Sequence, residues 1–179
     1  MINLERVTKL QDYPLNELFN LYIESFPPQE RRDIDQLKHL IENQSNMHFN
    51  AIIESDELCG LFIYWDFDTF IYIEHFAIFP EKRNRKIGEK VLSFIALNQP
   101  KYCILEAEPA LDEISTRRVN YYKRNGYEIL DKEYIQPSYS SDPSDDMPLW
   151  IMGYPKTIQP ELLNEYIKTI KKEVYSYKE

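Results

Sequence analysis

Glu74 lies inside a run of large apolar residues, Phe70 to Phe79, which only it and His75 interrupt. A run that is apolar on both alternating faces reads as a strand in the interior of a sheet. A carboxylate there loses hydration, so burial favours its protonated form and brings it toward the range a general base needs near neutral pH. The same position suits a carboxylate that pairs with a nearby cation and serves the structure, and the sequence leaves both readings open. His75 points to the other face by strand alternation and ranks below Glu74. Pro80 ends the run. The next loop carries Lys82, Arg83, Arg85, Lys86 and Lys90 against Glu81 and Glu89, in a chain whose net charge is -9. A helix follows, with Ile87, Val91, Leu92 and Ile95 at helical spacing. Strand, basic loop and helix start make a site for an anion, because the first N–H groups of a helix have no partners inside it. Gly88 lets the backbone come close to whatever binds. The plainer alternative is a solvated loop.

Other reactive side chains are fewer. Cys59 and Cys103 sit in strand-like apolar segments and read as buried reduced thiols. Cys103 is a conceivable nucleophile, but its surroundings offer no activating base or cation. His39, His48 and His75 are scattered without metal-site spacing, so no metal is expected. Tyr122 falls on an amphipathic helix, where a core aromatic is the ordinary reading. Between two helices runs ESFPPQERR, Glu24 to Arg32, a stiff linker that holds Phe26, two prolines and Glu30. Such a loop either carries function or only connects.

With 179 residues and 43% hydrophobic content, the chain is long enough for one sizeable core. Its acidity argues against nucleic acid as a partner and suits a positively charged one. No apolar run approaches the roughly 20 residues that span a bilayer, and MINLERVTKL lacks a secretory apolar segment, so a cytoplasmic location without membrane contact is expected.

The elements that must position these groups follow from periodicity. Met1 to Leu10 reads as a strand and Leu15 to Ser25 as a helix, stopped by Pro27-Pro28. Asp33 is the expected N-cap of the second helix, with Gln36 three residues on. Met47 to Glu54 and Leu58 to Trp65 read as strands joined by the turn Ser55-Asp56-Glu57, and Phe70 to Phe79 completes a meander. Tyr102 to Glu108 is a strand beside Phe70 to Phe79, and the intervening helix makes that pair parallel. Asp112 to Arg124 is a helix with Gly126 as its C-cap glycine. Tyr127 to Gln136 and Met147 to Tyr154 read as a closing pair of strands around a polar loop, PSYSSDPSDD. Pro160 to Tyr175 is a last helix, which either packs on the domain or forms a homodimer contact. The fold class is therefore α/β: a central mixed, mostly antiparallel sheet flanked by helices.

The segment IFPEKRNRKIGEKVL resembles the cofactor motif of the GNAT superfamily of acyl-CoA-dependent N-acetyltransferases. That pattern is Arg or Gln, any two residues, Gly, any one, then Gly or Ala. Arg83 takes its first position and Gly88 its last, while Lys86 stands at the first glycine. YYKRNGY, Tyr121 to Tyr127, is similar to the family's Tyr, three residues, Gly, aromatic signature, with Tyr122 at the tyrosine. The two stand in family order and spacing. The resemblance implies a single domain over 1–179, with a core of about residues 1–153 and a C-terminal helical extension over 154–179.

It also implies acetyl-CoA as co-substrate, held by Arg83, Asn84, Arg85, Lys86, Ile87, Gly88 and Glu89. The backbone of Phe76, Ala77 and Ile78 would bond the pantetheine arm. Glu74 takes the place of the base. Tyr122 becomes the acid for the departing thiolate, a phenol near 10 against a thiol near 8.5. The loop holding Phe26 and Glu30 would border the acceptor, and Glu106, with Glu108 on the same strand face, would hold the amine or replace Glu74. Ser115 stands where many relatives have an asparagine at the cofactor. The implied reaction is acetyl transfer by direct attack to a primary amine on a small molecule or peptide. The rival is a catalytically silent CoA-binding regulatory module, for which Lys86 in place of glycine is the best support.

Overall fold

The computed structural model describes residues 1–11, 14–140, 142–155 and 157–176. The chain divides into two compact units, Met1–Phe67 with Ile73–Pro100 and Asp68–Tyr72 with Lys101–Glu179.

The first unit begins with β1 (Ile2–Val7), α1 (Leu15–Ser25) and α2 (Ile34–Asn43). The first strand stops three residues short of Leu10. Asp33 caps α2 as its sequence suggests, its side chain accepting from Asp35 N at 2.8 Å and Gln36 N at 3.2 Å. Next come β2 (Met47–Glu54) and β3 (Glu57–Asp66), antiparallel to each other, with β2 also antiparallel to β1. Their hairpin is tighter than the expected three-residue turn. Ser55 and Asp56 both have positive φ, 52° and 62°, and Glu57 already faces Glu54 across the ladder. Two left-handed central residues make the primed turn whose twist matches the strands.

The strand β4 (Phe70–Ile78) contributes its residues from Ile73 onward to this unit, and α3 (Ile87–Asn98) ends it. Gly60 of β3 is required here: a Cβ on it would lie 2.1 Å from the Ala77 carbonyl oxygen. The core is lined by Leu18 and Tyr22 of α1, Leu37 and Leu40 of α2, Phe49, Ile52, Phe62 and Trp65 of β2 and β3, and Val91 of α3.

The second unit takes Phe70–Tyr72 of β4, then β5 (Tyr102–Ala107) and α4 (Glu113–Arg124), which packs on β5. The expected strand Tyr127 to Gln136 is broken in two: β6 (Glu128–Asp131) and β7 (Ile135–Gln136). Between them Asp131 Oδ1 accepts from Glu133 N at 2.8 Å, a side-chain turn that ends the ladder. The return strand breaks likewise into β8 (Met147–Pro148) and β9 (Trp150–Tyr154), with Leu149 N donating to Tyr134 O at 3.1 Å. β7 and β8 form a small sheet of their own.

The main sheet has seven strands in the order β1-β2-β3-β4-β5-β9-β6. The β1–β2, β2–β3, β5–β9 and β6–β9 pairs are antiparallel. β3 and β4 are joined by only 67–69, too short for a parallel crossover. The parallel pair that makes the sheet mixed is thus β4 with β5, joined through α3. The last helix, α5 (Pro160–Ile170), runs on as a π-helix over Lys171–Tyr175. It packs on its own unit: Tyr166 stacks on Phe70 at 4.1 Å, and Val174 and Tyr175 are buried.

Candidate active site

The loop after β4 is built to present a helix start. Asn84 and Lys86 both adopt left-handed backbone, φ 63° and 58°. Lys86 is the N-cap of α3, and no side chain caps that end. The left-handed φ gives a backbone reason for glycine at this point in the resembled motif; a lysine here accepts a cost of roughly 1–2 kcal/mol. Alternation of this kind turns successive N–H groups toward one concavity, where an anion fits. The cations of the loop divide into two sets. Glu57 takes Lys82 at 2.8 Å and Arg85 at 3.2 Å, and those bonds hold its carboxyl below the usual carboxylate range. Glu54 takes Lys90, with the same effect. Arg83 donates only its Nε to the Ile78 carbonyl, at 3.1 Å. Among the described residues no carboxylate pairs with Arg83 or Lys86, and both are exposed. Ile87 is buried beneath the turn, while Gly88 and Glu89 are half-buried on the first turn of α3.

On β4 the Glu74 side chain is 1% exposed and fully engaged. Arg32 Nε donates to Oε1 at 2.9 Å and Trp65 Nε1 to Oε2 at 2.7 Å. Arg32 is itself 2% exposed in its side chain and stands 5.7 Å over the Trp65 ring. Its main-chain N–H donates to the Tyr22 hydroxyl at 2.9 Å. The residue Glu74 is nonetheless half-exposed as a whole, so its exposure lies on the main chain. Phe76 meets Phe62 edge to face at 5.2 Å.

His75 lies against the linker between α1 and α2. Its ring meets Phe26 at 4.4 Å and Tyr22 at 4.9 Å, and its Nε2 bonds to the Glu30 carbonyl at 3.0 Å. Burial holds this imidazole below its ordinary value, so it is neutral. Glu30 thus contributes its backbone to β4, while Arg31 Nε donates to the Phe26 carbonyl at 3.0 Å. Phe26, Glu30, Arg32, Glu74 and His75 therefore form one connected group. Arg32 and Trp65 were not singled out in the sequence. The usable signal was that a carboxylate in an apolar strand needs a donor, and the linker ends in two arginines.

In the second unit, Tyr122, Gly126 and Tyr127 prove to be a helix stop. Tyr127 N donates to the Tyr122 carbonyl at 3.1 Å and Gly126 N to the Lys123 carbonyl at 3.0 Å, with Gly126 at φ 90°. This is a Schellman motif, and the 5.8 Å contact between the Tyr122 and Tyr127 rings is its accompanying apolar contact. The signature's spacing thus has a structural cause apart from any chemistry of the phenol. Burial pushes the Tyr122 hydroxyl above its ordinary value, with Arg118 opposing. Ser115 is committed to a capping box with Asp112. Burial pushes the Cys103 thiol up to about 12, which leaves it protonated and a poor nucleophile. Glu108 pairs with Arg118, while Glu106 accepts from the Tyr175 hydroxyl at 2.6 Å. Among the described residues no group of three or more His, Cys, Asp or Glu is arranged for a metal.

The model of the GNAT acetyltransferase family matches residues 15–127. The chain belongs to this family. A solved GNAT-family protein from Bacteroides thetaiotaomicron is 31% identical, with 99% of each chain covered and a TM-score of 0.87. Two more distant structures share the fold. A GNAT acetyltransferase from Elizabethkingia anophelis, solved with acetyl-CoA bound, is 13% identical over 85% of this chain and 96% of its own, TM-score 0.57. An aminoglycoside 6'-N-acetyltransferase in complex with coenzyme A is 15% identical over 89% and 99%, TM-score 0.56. No curated protein sequence matches this GNAT protein. Its loop from Arg83 to Glu89 falls within the matched span, and Tyr175 lies outside it.

Proposed function

We propose that this GNAT protein moves the acetyl group of acetyl-CoA to a primary amine, on a small molecule or a peptide, by direct attack of the amine on the thioester carbon. The observation that carries this reading is the start of α3: an uncapped helix end, two left-handed residues before it, and two cations without carboxylate partners among the described residues. That arrangement fits the phosphates of a CoA ester. Arg83 and Lys86 bind them, with the N–H groups of Ile87, Gly88 and Glu89 at the helix start. Asn84 supplies the left-handed turn, and Arg85 shares its charge with Glu57. The main chain of Phe76, Ala77 and Ile78 orients the arm of the ester, although the Ile78 carbonyl already accepts from Arg83.

Glu74 takes one proton from the bound ammonium, which frees the lone pair for attack. As the tetrahedral intermediate collapses, the nitrogen gives its second proton to water and the sulfur gains one from Tyr122, which water reprotonates. The high affinity of the buried phenol for its proton makes that donation more uphill than it would be from a phenol in water. The protonated state of Cys103 favours direct attack over an acyl-enzyme. Phe26 and Glu30 would border the amine, and Glu106 would meet its charge. Acetyl-CoA and coenzyme A bound to two of the solved relatives support the donor, and one of those relatives is an aminoglycoside acetyltransferase.

One observation favours a second reading of Glu74. With one oxygen on Arg32 and the other on Trp65, it is placed to anchor the linker, and the amine then arrives neutral by another route.

The function is tested by thiol release from acetyl-CoA with and without primary amines, with the product weighed by mass spectrometry. Release that requires the amine and a product heavier by one acetyl group is expected. Saturable acetyl-CoA binding with no turnover on any amine would mean a silent CoA-binding module.

A further inference from the structure

The second unit holds a buried polar cluster that the reaction as described does not use. Tyr175, on the π-helix that follows α5, donates its hydroxyl proton to Glu106 Oε2 at 2.6 Å. A phenol has one proton, so its oxygen must accept from every other partner. Gln136 Nε2 donates to it at 2.6 Å. The Tyr72 hydroxyl, 2.7 Å away, must then be a donor as well. Tyr175 therefore gives one hydrogen bond and takes two, and its orientation is determined by residues of β4, β5 and β7 together. Burial, and after it the charge of Glu106, pushes the Tyr175 hydroxyl far above an ordinary phenol, so it stays a neutral donor.

The remaining groups around the cluster agree with this. The Tyr134 hydroxyl faces the Glu106 carboxylate and is raised by burial and by that charge. The Tyr139 ring lies 5.0 Å from that of Tyr175. The Lys171 ammonium sits 5.0 Å over the Tyr134 ring, one turn before Tyr175. Donors that each accept from another donor strengthen one another in a low-dielectric interior. Tyr175 and Tyr134 thus meet one carboxylate, and β4 and β7 support it through the Tyr175 oxygen. Single turns of π-helix are rare and are frequently found at functional sites.

We propose that Tyr175 is a positioning residue of the transferase site: its hydroxyl fixes the Glu106 carboxylate in the orientation and charged state that meets the cationic amine. The C-terminal helix, outside the span matched by the family, thereby becomes part of acceptor recognition. This rests on the reading of Glu106 as the group that meets the amine.

Tyr175→Phe keeps the ring and removes the hydroxyl. The variant and the wild type are assayed with acetyl-CoA and three amine probes: spermidine, phenylethylamine and glycylglycine. The KM for the amine is expected to rise roughly tenfold or more, as for loss of a hydrogen bond to a charged group. The KM for acetyl-CoA should not move. The acid limb of kcat/KM for the amine should shift to higher pH, because the lost bond favoured the charged carboxylate. A merely structural role would lower Tm and leave that limb in place. An unchanged amine KM and an unchanged limb overturn the proposal. If Tyr175→Phe does not fold, Tyr72→Phe removes one donor to the phenol oxygen and leaves the Tyr175–Glu106 bond; a smaller rise in amine KM supports the proposal and none overturns it. A wild-type protein that binds acetyl-CoA but acetylates no probe instead sinks the acetyl-transfer reading, and this inference with it.

Discussion

Glu74 on β4 and Glu106 on β5 are both acids set into strands, each within its own unit, and they are held by opposite chemistry. Glu74 is met by a guanidinium and an indole N–H. Glu106 is met by the hydroxyl of Tyr175, itself fed by an amide and a second phenol. A guanidinium answers charge with charge and ties down the chain that bears it, here the end of the linker between α1 and α2. Hydroxyls answer charge with dipoles and leave the net negative charge in place. The first arrangement is suited to holding a loop, the second to keeping a carboxylate ready for a cation. Two acids that look alike in an apolar strand can thus have different uses, and their donors tell them apart.

The largest expected effect falls on the first of them. Arg32→Met leaves Glu74 buried without its cation and should cost about 3–5 kcal/mol of stability in urea unfolding. Adding Glu74→Gln removes the stranded charge and should recover a good part of that loss. Equal losses in the single and double variants would show that the ion pair does not anchor this unit.

Next in size is the effect on rate. Glu74→Gln should lower kcat roughly 10²-fold and leave acetyl-CoA affinity intact, the ordinary contribution of a general base. A base must be deprotonated to act, so kcat falls as pH falls through its titration. Glutamine, which does not titrate, should abolish that limb of kcat while the acid limb of kcat/KM that belongs to Glu106 stays. Tyr122→Phe should lower kcat by a similar order and remove any high-pH limb, while the ring that packs on Tyr127 keeps the helix stop. If Glu74→Gln leaves kcat and the limb unchanged but raises the amine KM, Glu74 is an anchor and the contrast with Glu106 becomes sharper.

Features carried by neighbouring residues were legible in the sequence. The basic loop, the helix start that follows it, the Asp33 cap and the glycine stop at Gly126 all depend on a few adjacent positions. The seven-stranded mixed sheet followed from strand and helix periods in order. What stayed hidden joins distant residues: Arg32 and Glu74 are 42 apart, Tyr175 and Glu106 are 69 apart. No periodicity ranks one arginine of the linker above the other as a partner. Local hydrogen bonds also defeated two strand readings. Asp131 turns the chain at Glu133, and Leu149 bonds to Tyr134, so each expected strand became two short ones. In the cofactor loop, the division of cations was equally invisible, because Glu54 and Glu57 reach it from the hairpin of another strand pair.

That division gives the most direct measurement. Acetyl-CoA is titrated calorimetrically into the wild type and into the double variant Arg83→Ala with Lys86→Ala, at low and at raised salt. The wild type should bind in the micromolar range and more weakly as salt screens the phosphates. The double variant should bind roughly tenfold more weakly or worse and lose most of the salt dependence, with its Tm unchanged. Equal affinity and equal salt dependence in the two proteins would contradict the placement of acetyl-CoA at the start of α3.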